Sequence, residues 1–249
     1  MFESLPIATI LISYVAVLFA LSVHEAAHAT AAYLLGDDTA KRLGRMTLNP
    51  IAHIDWIGTV LMPLIGAISG FNVLGWAKPV PVDTSRLTRR FRARVGYAMV
   101  AAAGPASNLV QSLVFLVALC LYIRLGFPGL PSMGLLGASM GYPVEELLKI
   151  PGLPAGQVLV LTLLGHLVWI NLGLAIFNLI PFGPLDGAGI LRGFLPFRWL
   201  APFDRAQPTI TIILLVLFMV GALKYILGPF FMLAELVYIN PLARLILGV

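Results

Sequence analysis

His24, Glu25 and His28 stand in His24-Glu25-Ala26-Ala27-His28, inside an apolar run that begins near Ile7 and lasts until Gly36. On a helix, positions i and i+4 share one face about 6 Å apart along the axis, so both imidazoles can reach one metal ion while Glu25 stands beside them to handle a water proton. That combination suits metal-assisted hydrolysis. Ionisable groups in a bilayer interior are costly and persist where they have a partner or line a wet cavity. Three of them on one apolar helix therefore read as a site and not as a solvated face.

A catalytic zinc usually takes three protein ligands and a water, which leaves one ligand to be found elsewhere. The single Cys120 lies in an apolar stretch and reads as packing, so an intramolecular disulfide and a cysteine zinc site are excluded and the ligands must be histidine and carboxylate. Asp37, Asp38, Asp55, Asp83, Asp204, Glu145, Glu146 and Glu235 fall in loops or at segment ends, whereas Asp186 follows an apolar stretch ending near Pro181, at the depth expected of His28. Its main competitor is His53, in a loop where a histidine is more often hydrogen-bonded structure. Pro181 and Pro184 stop a regular helix, and Gly183 and Gly187 relax the chain further, so Asp186 can turn inward.

The elements that must hold these residues are membrane spans. Hydrophobic residues make up 59% of the chain and charged ones 11%, which predicts an all-α polytopic membrane protein. Residues near 7 to 35, 95 to 124, 158 to 181 and 208 to 227 are long enough to cross about 30 Å of hydrocarbon. These are the four clear transmembrane helices. Trp56 to Ala77, broken by Gly58, Pro63, Gly66, Gly70 and Gly75, and Pro229 to Val249, carrying Glu235, Pro241 and Arg244, read as re-entrant or interfacial segments. Gly126 to Gly156 reads as an external loop with a short helix at Val144 to Ile150. No internal repeat and no appended soluble domain is expected, so residues 1–249 form a single membrane-embedded domain. Met1 to Pro6 carry no Lys or Arg, so the first span is expected to stay attached and not to act as a signal peptide.

The net charge of +5 comes from cations clustered in loops, as the positive-inside rule requires, and no nucleic-acid partner is assigned. Lys41, Arg42 and Arg45 precede the Trp56 segment, and Lys78, Arg86, Arg89, Arg90, Arg92 and Arg94 follow it. A dip into the membrane and back keeps all of them cytoplasmic, whereas a full crossing sends one group outward. The dip is favoured. The N-terminus then faces out, and His28 lies roughly 10 Å before the cytoplasmic end of its span.

At these residues the chain resembles the site-2 protease family of intramembrane zinc metalloproteases. His24-Glu25-Ala26-Ala27-His28 is followed by Gly104-Pro105-Ala106-Ser107-Asn108, which looks like the family's G-P-x-x-N helix, and by Asn178-Leu179-Ile180-Pro181-Phe182-Gly183-Pro184-Leu185-Asp186-Gly187, which looks like its N-x-x-P and L-D-G motifs. Gly75 to Val82 is similar to an extended segment of bacterial members, and a short extended segment is expected near 76–82. The resemblance spans residues 20 to 190. It implies one Zn2+ per chain bound by His24, His28 and Asp186, with Glu25 as general base or acid for peptide hydrolysis. It also implies a multi-pass protein of the bacterial cell membrane whose active site lies nearer the cytoplasmic side and whose partners are transmembrane protein substrates and the lipid bilayer. No counterpart of the PDZ-like and nucleotide-sensing domains of larger members is expected, so substrate selection is expected to fall to gating among the spans or to an accessory membrane protein.

Asn171 and Asn178 share a helical face, and Asn108 lies on another span at a comparable depth. Asn108 and Asn178 are expected to bind substrate backbone, and the alternative is that such amides tie helices together. His166 reads as an interfacial or packing residue. A protease in lipid must unwind its target, and Lys78 to Val82 is a candidate edge for the unwound strand, although Pro79 and Pro81 remove donors and the segment also fits a surface linker. A non-enzymatic metal-binding or transport protein is the competing function. Such a protein would need further polar residues along the outer halves of the spans, which offer few beyond His166. A proteolytically inactive scaffold of the same fold is a third possibility, against which Glu25 speaks.

Overall fold

The first helix, α1 (Ile7–Leu34), is unbroken because nothing in it is Gly or Pro, and it stops where Gly36 takes a φ of +102°. The Gly36 N–H donates to Tyr33 O at 3.0 Å and the Asp37 N–H to Ala32 O at 2.9 Å, which closes the last turn on a left-handed glycine. The computed structural model describes residues 7–69, 75–88, 90–128 and 130–248, with the side chains of 67–69 left aside. The expectations for Met1 to Pro6, Gly70, Arg89 and Val249 fall outside these residues.

After α1 come α2 (Thr39–Arg42), α3 (Met62–Ser69), α4 (Ala93–Gly126), α5 (Ser132–Gly141), α6 (Val144–Leu147), α7 (Ala155–Asn178), α8 (Asp186–Phe194), α9 (Phe197–Met219), α10 (Leu223–Ala234) and α11 (Asn240–Leu247). The fold is all-helical, and among the described residues there is no β-strand. Five stretches are long and apolar enough to cross a membrane: Ile7–Leu34, Ala93–Gly126, Ala155–Asn178, Phe197–Met219 and Leu223–Leu247.

Three sequence expectations change here. The stretch expected at 208 to 227 is not one helix: α9 ends at Met219 and Gly221 adopts a φ of +70°, with Ala222 N–H on Leu217 O at 2.8 Å. The ambiguous C-terminal segment joins α10 through a π-helical turn, Glu235–Ile239, and becomes the fifth candidate span. The loop expected from Gly126 to Gly156 contains α5 as well as α6. Gly165 of α7 lies so close to α5 that an added β-carbon would fall 2.1 Å from Ser139 O, so α5 packs backbone against backbone.

The Trp56 segment begins as a π-helix (Trp56–Leu61) capped by Asp55, whose Oδ1 accepts from Ile57 N–H and Gly58 N–H, and continues as α3. Its ends are bonded together, because Trp76 N–H donates to Gly58 O at 3.2 Å and Lys78 N–H to His53 O at 2.9 Å. Residues 76–78 thus lie beside residues 53–58, where the segment begins.

The chain divides into two compact units. One comprises residues 1–20, 108–173 and 230–249. Its core is built of Leu116, Leu119, Ile123, Val158, Leu161, Val168 and Ile239, all at most 2% exposed. The other comprises residues 21–107 and 174–229. In it α8 packs on the start of α4 through glycines: a β-carbon on Gly193 would sit 2.4 Å from Ala98 Cβ, and one on Gly189 3.2 Å from Ala101 Cβ. This close approach sets Asp186, the first residue of α8, beside α4.

Candidate metal centre

His24 and His28 are 4% and 8% exposed on the last turns of α1, and they meet Asp186 at the start of α8 within the second unit. His24 Nε2 lies 3.1 Å from Asp186 Oδ2, His28 Nε2 lies 3.3 Å from Asp186 Oδ1, and the two Nε2 atoms are 3.0 Å apart. The sequence expectation brought these three residues together, and the glycines make the close approach possible. A β-carbon on Gly104 would fall 2.4 Å from His28 Nε2 and 2.6 Å from His24 Cε1, and one on Gly187 would fall 2.3 Å from Ile180 O. Only glycine admits α4 this close to the imidazoles, and only glycine lets α8 start this tightly against the Leu179–Ile180 backbone.

The electrostatics favour a cation. Val100 O can only accept, so the 2.8 Å contact from His28 Nδ1 places the ring hydrogen on Nδ1 and turns the Nε2 lone pair towards His24 and Asp186. Asp186 Oδ2 is buried with His24 Nε2 3.1 Å away. Burial pushes the Asp186 carboxyl up, but the two imidazoles outweigh it and hold it down at about 2, so the group is an anion. Two imidazole nitrogens and a carboxylate oxygen within 4.8 Å of one another match the donor set of a tetrahedral metal that keeps a fourth position open. The residues present fit a zinc ion. Among the described residues this is the one group of three such side chains able to hold a metal.

Glu25, 9% exposed, stays outside that group and accepts a hydrogen bond from Val80 N–H on Oε2 at 3.0 Å. Sequence reasoning noticed the segment around Val80 but missed its target. The segment is extended without being a strand, and its hydrogen bonds alternate. Trp76 and Lys78 use both N–H and C=O on the protein side, through Gly58 O, Thr59 Oγ1, His53 O and Arg45 Nη2, and Val80 uses its N–H. In an extended chain residues 77, 79 and 81 then face the other edge, where Pro79 and Pro81 have no N–H to offer. An added strand would find carbonyls there and one donor.

His53 is not brought to the metal group. It is 2% exposed, with Nε2 on Thr47 O at 2.8 Å and its own carbonyl holding Lys78, a structural role. His166 likewise bonds back to Thr162 O at 2.8 Å in its own helix. Asn108 lies in the first unit, fully buried, with Nδ2 donating to Asn171 Oδ1 at 2.8 Å, while Asn171 Nδ2 donates to Leu167 O. Asn178 lies in the second unit with the metal group, is half-buried, and donates from Nδ2 to Leu174 O at 3.0 Å.

The family model for Peptidase family M50 matches residues 12–221. The chain is 35% identical over 212 residues to "Putative zinc metalloprotease YwhC" of Bacillus subtilis, covering 84% of this chain and 80% of that protein. It is 34% identical over 100 residues to "Putative zinc metalloprotease Rip2" of Mycolicibacterium smegmatis, covering 40% of this chain and 36% of that one. No solved structure matches. The matched region runs through both histidines, Glu25 and Asp186, and the expectation drawn from the motifs and the likeness of the whole sequence converge: this chain belongs to peptidase family M50, the site-2 protease family of zinc metalloproteases.

Proposed function

We propose that the protein is an intramembrane endopeptidase that hydrolyses peptide bonds within or near transmembrane segments of other proteins. It would act from the cytoplasmic half of a bacterial cell membrane. The observation that carries this reading is the burial of His24, Glu25 and His28 on an apolar helix long enough to span a bilayer, with Asp186 completing a metal donor set beside them. Cytoplasmic placement is supported by the loop cations that flank this end of α1, among them Lys41, Arg42, Arg45 and Arg86.

In this reading His24, His28 and Asp186 hold one Zn2+. When bound there, zinc supplies Lewis acidity towards a water and a scissile carbonyl. Glu25 takes the water proton and later gives it to the leaving amine. Val100 O fixes the His28 tautomer, and Val80 N–H occupies one oxygen of Glu25, leaving proton transfer to Oε1. Asn178, half-buried in the unit that carries the ligands, is assigned to substrate backbone. Asn108, paired with Asn171, is assigned to holding α4 to α7 in place of the substrate contact expected from the motif.

The test is cleavage of a membrane-spanning model substrate by the purified, reconstituted protein, with and without chelator, beside Glu25→Gln. Cleavage that chelator abolishes and zinc restores is expected, with Glu25→Gln inert at full zinc content. Undiminished cleavage by a zinc-loaded Glu25→Gln protein would overturn the assignment.

A further inference from the structure

Asp37 is 0% exposed and Arg45 is 8% exposed, and neither belongs to the metal group. Burying a carboxylate is costly unless its oxygens are satisfied. Asp37 meets that demand through backbone and hydroxyl donors: Oδ1 accepts from Thr39 N–H at 3.0 Å and from Thr39 Oγ1, and Oδ2 accepts from Asp83 N–H at 2.7 Å. Arg45 donates from Nη2 to Lys78 O. The two side chains thus hold opposite ends of the extended stretch Lys78–Asp83, and the backbone N–H between those ends that reaches the centre is Val80, on Glu25 Oε2. Val82 packs against the Ala32, Leu87 and Val100 cluster between the same two anchors.

We propose that Asp37 and Arg45 are positioning residues for the hydrolysis, clamping Lys78–Asp83 in the register that aims Val80 N–H at Glu25 and so fixes the orientation of the Glu25 carboxylate. This rests on Glu25 acting as the general base. An extended chain shifts about 3.3 Å per residue, so a slip by one residue replaces the Val80 N–H by a proline ring, since Pro79 and Pro81 flank it. A one-residue slip therefore leaves Glu25 without a donor, and the clamp at both ends holds the segment against longer slips. With Oε2 tied to Val80, Oε1 is the atom left to exchange protons. A loose carboxylate would lower the rate of the chemical step without changing how substrate docks or how the metal is held.

The experiment compares Asp37→Asn, Arg45→Ala, Arg45→Lys and Val80→Pro in the reconstituted holoprotein, reading kcat, KM and zinc per chain. Asn at 37 keeps one acceptor but presents a donor to either Thr39 or Asp83. Pro at 80 removes the N–H itself from a segment already compatible with proline geometry. The expected result is a kcat lowered on the order of tenfold to a hundredfold in Asp37→Asn, Arg45→Ala and Val80→Pro, with KM and zinc at parental values and partial recovery in Arg45→Lys. No further loss is expected when any of them is added to Glu25→Gln. Parental kcat in Val80→Pro, or losses that follow zinc content or KM, would overturn the clamp while leaving Glu25 as base. If Asp37→Asn fails to fold, Arg45→Ala with Arg45→Lys and Val80→Pro decide the matter from the other end and the middle. A Glu25→Gln protein as active as the parent would instead remove the general-base reading on which the clamp depends.

Discussion

Gly104 lies so close to His28 that a β-carbon on it would stand 2.4 Å from the Nε2 atom assigned to the metal. The histidine cannot give way cheaply, because its other nitrogen is held by Val100 O at 2.8 Å and its backbone is inside α1. Gly104→Ala is therefore expected to push α4 away or rotate the ring out of line. Displaced ligands and their supports cost on the order of tenfold to a hundredfold in metal affinity. Competition with a fluorescent zinc chelator measures it. Gly156→Ala, at a position with open space around it, is the control and should bind zinc like the parent.

Gly187 makes the same kind of demand on the third ligand from another direction. An added β-carbon would meet the carbonyl oxygens of Ile180 at 2.3 Å and Leu179 at 2.5 Å, and both are backbone. Gly187→Ala is expected to shift the start of α8 and carry Asp186 away from the imidazoles, again lowering zinc per chain. Asp186→Asn should do so without moving the helix, because the amide keeps the shape and loses the charge. Metal analysis of the three purified proteins after equal dialysis separates the cases.

Asp186 should not be the group that titrates in the working range. Burial raises its carboxyl, and the imidazoles bring it down to about 2, below its ordinary value. A carboxyl depressed in this way stays ionised from neutrality downwards and protonates as pH falls through the lowered value, so between about pH 5 and 8 it contributes a constant charge. A pH profile of cleavage over that range is expected to keep its shape in Asp186→Glu, provided zinc is saturating. A changed slope would place the Asp186 carboxyl among the titrating groups.

How much of this was legible follows from which physics each feature uses. The spans of α1, α4 and α7 were read to within a few residues because each is an unbroken apolar run of membrane length. The break at Gly221 was missed because hydropathy does not change there, and only the left-handed backbone marks it. α5 was hidden behind Pro131, Gly134, Gly137 and Gly141, which argue for a loop in water, whereas packing on Gly165 rewards small residues. The ligand set was legible as residue types and depth. The Val80 contact on Glu25 was not, since a backbone N–H leaves no trace in side-chain identity.

The Asn108–Asn171 pair gives a prediction that separates tying helices from touching substrate. Both amides are fully buried, and Asn108 Nδ2 donates to Asn171 Oδ1 at 2.8 Å, so removing either partner deprives the other of this bond in buried surroundings. Hydrogen bonds between membrane helices are worth about 0.6 to 2 kcal/mol. Asn171→Ala and Asn108→Ala should each destabilise the folded protein by that order, and the double variant should cost less than the sum, because the bond the two share is lost only once. Unfolding in mixed detergent micelles with rising sodium dodecyl sulfate measures it. Asn178→Ala is expected to behave oppositely, with stability near parental and KM raised several-fold, since its side chain is half-buried and bonds within its own helix. If instead Asn108→Ala leaves stability intact and raises KM, Asn108 belongs with the substrate contacts and the tie between α4 and α7 must be sought in Ser112, whose hydroxyl donates to Val168 O at 3.1 Å.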